Sequence, residues 1–206
     1  MPKGSEELTN RRKSEIIEAC EKLYREKGFH DITIKDIGKE ISMSRPSIYN
    51  YFETKEEIFL ALLTEKYDRW TSDLKELADS RSQMTGDELA HEIAGTLKDR
   101  KVLLKISAMN LYEIEENSRL DNLAEYKAAF KKSVDAFEEV LRKFLPELSK
   151  ERIEEIRYAF YPFMYGIYPY AHPTDKQLKA MDQVHLDYHI STVEEITYHF
   201  LRQIVA

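Results

Sequence analysis

The chain of 206 residues has few of the residues that interrupt helices or cross-link chains. It contains six glycines, six prolines and a single cysteine, Cys20. A lone cysteine excludes an internal disulfide and suits a reducing compartment, so we expect a cytoplasmic protein. Cys20 lies among apolar helical positions, so we expect it to be a core residue. The low glycine and proline content, together with the lack of alternating Val, Ile and Thr runs, predicts an all-α chain.

Membrane, secretion and catalytic signals are also missing. No apolar run reaches the roughly eighteen residues of a membrane span, and no charged-then-apolar leader opens the chain. The sequence has no glycine-rich phosphate loop, no H-E-x-x-H, no G-x-S-x-G and no paired cysteines. Acidic residues such as Glu113, Glu115 and Glu116 lie in charge runs typical of solvated faces. We therefore expect a protein that is not an enzyme, has no cofactor and has no membrane partner.

Charge is distributed unevenly along the chain. The net charge is −7, which by itself disfavours a nucleic-acid partner. Residues 1–55, however, hold eleven Lys/Arg against ten Asp/Glu, which leaves the remaining residues at −8. An electropositive face is therefore expected only at the N-terminal end. The basic residues that suggest such a face are Arg11, Arg12, Lys13, Lys35, Lys39, Arg45 and Lys55.

Helix starts are marked by Ser or Thr residues that are followed three positions later by Asp, Glu or Gln. Such pairs satisfy the free amides of a first helical turn, and here they predict about nine or ten helices. The pairs are Thr33/Asp36, Thr54/Glu57, Thr85/Glu88, Ser118/Asp121, Thr174/Gln177 and Ser191/Glu194. The first four helices are expected over residues 10–27, 34–41, 45–51 and 55–79, with Thr9 as a simpler cap of the first.

The third predicted helix is short and polar. Ser44 is expected to cap it, and Pro46 falls in its first turn, where a missing amide hydrogen costs nothing. Steps of 100° per residue place Ile48 and Phe52 on a buried face and Asn50 almost opposite. A short helix with a polar outer face that follows a tight turn is typical of the element that enters the DNA major groove. The alternative is a small helical hairpin that merely packs on the first helix.

The segment "ITIKDIGKEISMSRPSIYNYFETKEEIF" resembles the N-terminal helix-turn-helix of TetR-family transcriptional regulators. The resemblance covers about residues 9–65 and rests on T-I-x-D-I, S-x-x-S-I-Y-x-Y-F and a following K-E-E at the family spacing. It implies a helix at residues 45–51 that reads DNA, with base edges and phosphates contacted by Thr33, Ser44, Arg45, Pro46, Ser47, Tyr49, Asn50, Tyr51 and Lys55. Ser42 stands where the family usually has glycine, so we expect an unusual backbone angle in this turn.

The resemblance further implies an N-terminal three-helix DNA-binding domain, residues 1–54. A long helix joins it to a larger helical domain, residues 55–206, for effector binding and dimerisation. An aromatic helix around "YAFYPFMYGIYPYAHP", kinked at Pro162, is expected to line an effector pocket. The candidate effector-binding residues are Met109, Tyr112, Tyr126, Phe130, Phe160 and Met164. The candidate dimer-interface residues are Phe163, Ile167, Ile196, Phe200 and Ile204. The alternative for each of these side chains is ordinary core packing.

His185 and His189 are four residues apart and would share one face if their segment were helical. A metal site needs further ligands, and none is near in the sequence, so no metal is predicted. The sequence therefore predicts a homodimeric transcriptional regulator that binds double-stranded DNA. We expect a repressor that a small-molecule effector releases from a palindromic operator. The alternative is a helical protein-interaction module that does not bind DNA.

Overall fold

A computed structural model describes residues 3–205 as eleven α-helices and one 3₁₀ turn, Phe29–Asp31, with no strand among them. The predicted all-α fold is confirmed, with slightly more helices than expected. The helices are α1 Lys3–Glu26, α2 Ile34–Glu40, α3 Arg45–Ile48, α4 Lys55–Ser80, α5 Gly86–Leu97, α6 Lys101–Met109, α7 Leu111–Glu116, α8 Leu120–Phe144, α9 Lys150–Ala171, α10 Asp175–Gln183 and α11 Val193–Ile204. None of them is both long and apolar enough to cross a lipid bilayer.

Three of the six predicted capping boxes form at the predicted residues. Complete capping boxes begin α2, α5 and α10 at Thr33, Thr85 and Thr174, as the sequence predicts. The box of α11 lies one residue later than predicted, at Thr192 and Glu195. These contacts satisfy amides that have no partner inside their helix, so they fix where each helix begins.

Three further caps differ from the prediction. Thr9 is not a cap, because α1 already begins at Lys3. Ser118 does not start α8, because its hydroxyl donates to the Ile114 carbonyl at 2.7 Å and so completes the end of α7. At Thr54 only half of a box forms: its hydroxyl accepts from the Glu57 amide at 3.1 Å, while the Glu57 carboxylate turns to another partner.

The contacts of the chain divide it into two compact units. Unit 1 comprises Met1–Tyr67 and Asn110–Phe130, and unit 2 comprises Asp68–Met109 and Lys131–Ala206. This division differs from the predicted domains, 1–54 and 55–206, because a segment from the middle of the chain joins the N-terminal residues. Residues 1, 2 and 206, which end those predicted domains, lie outside the described residues.

The core of unit 1 is formed where α1 packs on α2, α2 packs on α3, and the first half of α4 covers α1. Tyr24, Phe29 and Phe59 meet edge to face, with ring centroids 5.0 Å apart for Tyr24 and Phe59 and 4.8 Å apart for Phe29 and Phe59. Cys20 is fully buried beside them, and burial raises the pKa of its thiol well above the usual range. This cysteine is therefore a core residue, as predicted, and an unreactive one.

The core of unit 2 is formed by α5 against α11, α6 against α9, and α9 against α11. At its centre Phe160 stacks on Phe137 with centroids 4.5 Å apart. Trp70 lies 6.3 Å from Phe160, and its indole N–H donates to the Thr96 hydroxyl at 2.9 Å. Helix α9 runs without interruption through Pro162 and Pro169.

Candidate nucleic-acid interface

The turn between α2 and α3 is a helix C-cap with a serine in the left-handed region. The Met43 amide donates to the Gly38 carbonyl at 2.9 Å, five residues back, and Ser42 has a φ of 54°. This is the six-to-one bond of a Schellman motif, in which glycine normally occupies the position of Ser42. The unusual backbone angle expected at Ser42 is confirmed, so the turn keeps its geometry at the cost of local strain.

Gly38 is the residue that lets this turn close. A Cβ at this position would lie 2.5 Å from the Met43 carbonyl oxygen, well inside contact distance. The close approach of the two backbone segments therefore requires glycine at residue 38. The angle between α2 and α3 thus depends on Gly38 and Ser42 together.

Helix α3 begins as the sequence predicts. The Ser44 hydroxyl accepts from the Ser47 amide at 3.3 Å and shares a hydrogen bond of 2.7 Å with the Ser47 hydroxyl. Arg45 and Pro46 occupy the first two helical positions, where the proline ring needs no amide partner. The regular helix ends at Ile48, and a further turn continues it through the Tyr51 amide, which donates to the Ile48 carbonyl at 2.9 Å.

The two faces of this helix separate cleanly. Ile48 is fully buried and Phe52 is 4% exposed, so both fix the helix to unit 1. Arg45, Pro46 and Asn50 are exposed on the other side. Asn50 forms no side-chain hydrogen bond within the described chain, so its amide faces outward with all its donors and acceptors open. The polar outer face predicted from the sequence is present.

Arg45 and Tyr49 form a pair on this outer face. The Arg45 Nε and Nη2 atoms donate to the Tyr49 hydroxyl at 3.0 and 2.7 Å, and the guanidinium lies 5.3 Å from the centre of the tyrosine ring. Side chains four residues apart on a helix are neighbours, and a cation over an aromatic face is stabilised by the ring quadrupole. The pair restricts the rotamers of the arginine before it meets any partner.

The two residues predicted to contact phosphates from outside α3 are engaged within the chain. The Lys55 ammonium donates to the Phe29 carbonyl at 2.9 Å and keeps two further N–H groups. The Thr33 hydroxyl donates to Asp36 Oδ2 at 2.6 Å. Hydrogen bonding from Thr33, and then from Lys39, lowers the pKa of Asp36 to about 2. A phosphate at Thr33 would have to replace the Asp36 carboxylate as the acceptor.

One residue of this surface was not identified as a site residue from the sequence. Arg12, on α1, lines a cleft of about 450 Å³ together with the turn between α2 and α3 and with residues of α3 and the turn that follows it. Its Nη1 atom lies 2.6 Å from Glu15 Oε2. The basic tract at residues 10–13, which includes Arg12, could have indicated this residue from the sequence. The other lining residues are Ile41, Ser42, Met43, Ser44, Ser47, Asn50 and Tyr51.

The predicted effector-binding residues fall into different environments. Phe160 and Met164 are fully buried in unit 2, whereas Tyr126 is fully buried in unit 1. Tyr126 and Phe130 each lie against Tyr67, with ring centroids 5.9 and 5.5 Å away. Tyr126 and Phe160 therefore pack in the cores of their units, whereas Phe130 is half-buried.

Two of these candidates are on the surface, in contrast to the prediction. Met109 is 59% exposed and Tyr112 is 84% exposed. On the short helix α7 the buried position is taken by Ile114, and a step of 200° along the helix turns Tyr112 outward. Neither side chain therefore lines an enclosed apolar pocket.

Unit 2 also contains an open groove of about 550 Å³ that the sequence did not reveal. Its lining is mainly charged, unlike the apolar pocket predicted for an effector. Arg100 in this groove is paired with Asp73. The charged residues of the lining are Asp73, Glu76, Glu92, Lys98, Asp99 and Arg100.

Four of the five candidate dimer-interface residues keep an accessible surface. Phe163 and Phe200 stack across α9 and α11 with ring centroids 3.8 Å apart, and both are partly exposed. Ile196 and Ile204 are also partly exposed. Ile167 is only 1% exposed within its own chain, in contrast to the surface position that a contact with a second subunit requires.

His185 and His189 do not share a helix face, because residues 186–192 are not helical. His185 has a φ of 54° and ends α10 in a second Schellman motif, in which the Leu186 amide donates to the Met181 carbonyl at 3.0 Å. Across residues 3–205, no group of three or more His, Cys, Asp or Glu side chains is arranged to hold a metal ion.

Solved structures share this arrangement of helices. A transcriptional regulator of the TetR/AcrR family from Thermobifida fusca aligns with a TM-score of 0.63 over 95% of this chain and 97% of its own, at 16% identity. The regulator FadR from Bacillus subtilis, solved in complex with stearoyl-CoA, aligns with a TM-score of 0.56 over 94% of this chain and 97% of its own, at 17% identity. At these identities the likeness concerns the fold.

Sequence comparisons identify the family. An uncharacterized helix-turn-helix regulator of Bacillus subtilis, YfiR, is 33% identical over 81 residues, which is 39% of this chain and 40% of the relative's length. The chain thus matches less than half of that curated relative. Residues 16–62 match the family model described as bacterial regulatory proteins, tetR family. Residues 64–206 match the tetracyclin repressor-like C-terminal domain. The chain belongs to the TetR family of bacterial regulatory proteins.

Proposed function

We propose that this protein is a homodimeric, sequence-specific DNA-binding transcriptional regulator that represses its target genes. The observation that carries the proposal is the outer face of the turn Arg45–Tyr51, which we call the reading turn. It presents arginine, asparagine and serine outward while Ile48 fixes it to the core. Such a face exposes hydrogen-bonding groups matched to base edges, and the strained turn before it sets their direction.

Five side chains in or beside the reading turn have a proposed role. Asn50, which is open, and Arg45 contact base edges in the major groove. Tyr49 limits the rotamers of Arg45, so that less conformational entropy is lost when DNA binds. Arg12 and Lys55 contact phosphates on either side of the groove, which positions the protein without reading sequence.

The direct test is selection of bound fragments from a random-sequence DNA library, followed by gel shifts at low salt. We expect enrichment of one palindromic sequence, with half-sites about one helical turn apart as for other dimeric readers. Absence of any DNA affinity at low salt in the intact protein would exclude the proposal and leave a protein-interaction module.

Variants separate the two kinds of contact. Lys55→Gln is expected to weaken binding to all sequences alike and to reduce the slope of log affinity against log salt by about 1. Asn50→Ala is expected to lower affinity for the selected site by about 1–3 kcal/mol while leaving non-specific binding unchanged. Lys22→Gln, which removes an exposed ion pair with Glu40 elsewhere in unit 1, is the matched control and should change neither quantity.

The proposed dimer contact is the exposed edge of α9 and α11. Phe163, Phe200, Ile196 and Ile204 offer apolar surface there, and a two-fold interface would place two reading turns on a palindrome. Analytical ultracentrifugation of Ile196→Asp should show a monomer, with loss of high-affinity binding to the full palindrome. A variant that remains dimeric would move the interface to another surface.

We further propose that a small, mainly apolar effector binds in unit 2 and lowers DNA affinity. The residues proposed to contact it are Phe160 and Met164, on the helix that carries most of the aromatic side chains of this unit. Stearoyl-CoA is the first probe, because a solved regulator of the same fold was crystallised with it. A shift in melting temperature together with DNA release would support this ligand class. An unchanged melting temperature in the presence of stearoyl-CoA would exclude stearoyl-CoA as the effector.

A further inference from the structure

Residues 110–119, which we call the clasp, are assigned to one part of the protein by sequence similarity and to another by their contacts. They fall within the family match to the C-terminal domain, residues 64–206. In the structure they are part of unit 1, together with the N-terminal helices. The clasp comprises α7 and the residues on either side of it. At both of its ends the chain continues, directly or through α8, into segments of unit 2.

The clasp is tied to the N-terminal segment of unit 1 near both of its ends. The Tyr24 hydroxyl of α1 donates to Asn110 Oδ1 at 2.9 Å. At the other end, the Thr54 hydroxyl, at the N-terminus of α4, donates to the Asn117 carbonyl at 3.2 Å. The strongest contacts follow directly after that, at Arg119.

Arg119 binds the segment that links the reading turn to α4. Its Nε and Nη2 atoms donate to the two carboxylate oxygens of Glu57 at 2.6 and 2.9 Å, and its backbone amide donates to Glu57 Oε1 at 3.3 Å. Its Nη1 atom donates to Glu53 Oε1 at 2.8 Å. The guanidinium therefore joins two carboxylates in the first residues after the reading turn, in the two-pronged geometry that arginine favours.

Glu57 depends on this arginine. Its side chain has no exposed surface, and its Oε2 also accepts the backbone amide of Glu53 at 2.8 Å. Burial by itself raises the pKa of Glu57, but the hydrogen bonds from Arg119 and from the two backbone amides outweigh burial, and the pKa is lowered. The carboxylate is thus ionised and buried, and losing Arg119 would leave it without its counter-charge.

We propose that Arg119 is a positioning residue for DNA recognition: through Glu57 and Glu53 it fixes the exit of the reading turn, so DNA affinity depends on whether the clasp stays bound to these two carboxylates. The inference rests on the proposed DNA-binding function. In this proposal the clasp is docked while Arg119 is paired with Glu57 and released when that pair is broken, and the buried carboxylate favours the docked state. Any effector that favours the released state lowers the affinity for DNA. By linkage, bound DNA favours the docked state and lowers the affinity for that effector by the same factor.

The first test measures amide hydrogen exchange in the full-length protein without DNA. Arg119→Gln is expected to speed exchange at least tenfold for amides of residues 49–57. Lys127→Gln is the matched control, because its ammonium forms an ion pair of 2.6 Å with Glu115 that does not involve residues 16–62. Equal exchange in Arg119→Gln and wild type would overturn the proposal.

The second test uses the DNA site selected from the random library. Arg119→Gln is expected to lose at least tenfold in affinity, whereas Lys127→Gln keeps the affinity of the wild type. Bound DNA should slow exchange in residues 110–119 of the wild type, although these residues touch no DNA, and this protection should vanish in Arg119→Gln. Wild-type protection confined to the reading turn would overturn the proposal.

A double variant separates positioning from simple stability. Glu57→Gln combined with Arg119→Gln removes the buried charge, so the melting temperature is expected to recover relative to Arg119→Gln alone. DNA affinity should nevertheless stay at least tenfold below wild type, because the forked contact is missing. Recovery of both quantities would make Arg119 a stability residue only. If the wild type binds no DNA, the proposed function fails, and the exchange test alone decides whether Arg119 positions the turn.

Discussion

Two aromatic side chains, Tyr49 in unit 1 and Phe160 in unit 2, lie in opposite environments. In unit 1 Tyr49 lies on the surface with its hydroxyl bound to Arg45, on a helix whose outer face is polar. In unit 2 Phe160 is fully buried and stacked on Phe137. The tyrosine therefore orients an arginine side chain, whereas the phenylalanine stabilises a hydrophobic core. The neighbours of each ring, rather than its presence in the sequence, decide which role it has.

The largest expected difference between the units is in stability. Phe160→Ala should lower the free energy of unfolding by about 3–5 kcal/mol, because it removes a fully buried aromatic side chain from the core of unit 2. Chemical denaturation followed by the fluorescence of Trp70, 6.3 Å from this ring, measures it. Tyr158→Ala, at a position 70% exposed on the same helix, should change stability by less than about 0.5 kcal/mol. Similar losses in both variants would contradict the assignment of Phe160 to the core.

The next effect tests the turn of unit 1. Gly38→Ala should destabilise unit 1 by about 1–3 kcal/mol, because the added Cβ would lie 2.5 Å from the Met43 carbonyl oxygen. The same substitution at Gly166, where no atom lies within 4 Å of an added Cβ, is the control and should be neutral or slightly stabilising. Thermal unfolding of both variants checks the difference. A tolerated alanine at residue 38 would show that the two backbone segments can separate.

A smaller effect compares the two helix ends that place a side chain in the left-handed region. Ser42→Gly and His185→Gly should each stabilise the protein by about 1 kcal/mol, because each relieves the same steric strain. The two variants should differ in DNA binding, since only Ser42 precedes the reading turn. Equal changes in DNA affinity in the two variants would show that the backbone geometry at Ser42 does not affect DNA recognition.

The smallest effect compares two capping boxes by pH. Asp36 has a folded-state pKa of about 2, below its usual value near 3.8, so its contribution to stability is present above about pH 4 and is lost as the pH falls toward 2. The box at Thr174 uses the uncharged Gln177 and cannot titrate in this range. Backbone carbon chemical shifts between pH 5 and 2 should therefore report fraying of α2 before α10. The variant Asp36→Asn should remove this difference.

Features encoded by neighbouring residues were predictable from the sequence. The cap at Ser44, the placement of Pro46 and the backbone angle of Ser42 each depend on residues within five positions, and all three are confirmed. The inward face with Ile48 and Phe52 follows from helical periodicity in the same way.

Features that depend on distant partners were not predictable. Ile167 and Tyr112 both carry apolar surface, and only tertiary packing buries the first and exposes the second. The bond between Arg119 and Glu57 joins residues 62 positions apart, so no local pattern marks it.

The composition of unit 1 from two separated segments has a consequence for its synthesis. A ribosome must translate residues 68–109 before it reaches Asn110–Phe130, the second segment of this unit. The nascent N-terminal helices therefore emerge without Arg119, and Glu57 meets its counter-charge only after residue 119 has left the exit tunnel. Domains generally fold in the order in which they are synthesised, but here the N-terminal unit completes its contacts only when more than half of the chain has been made.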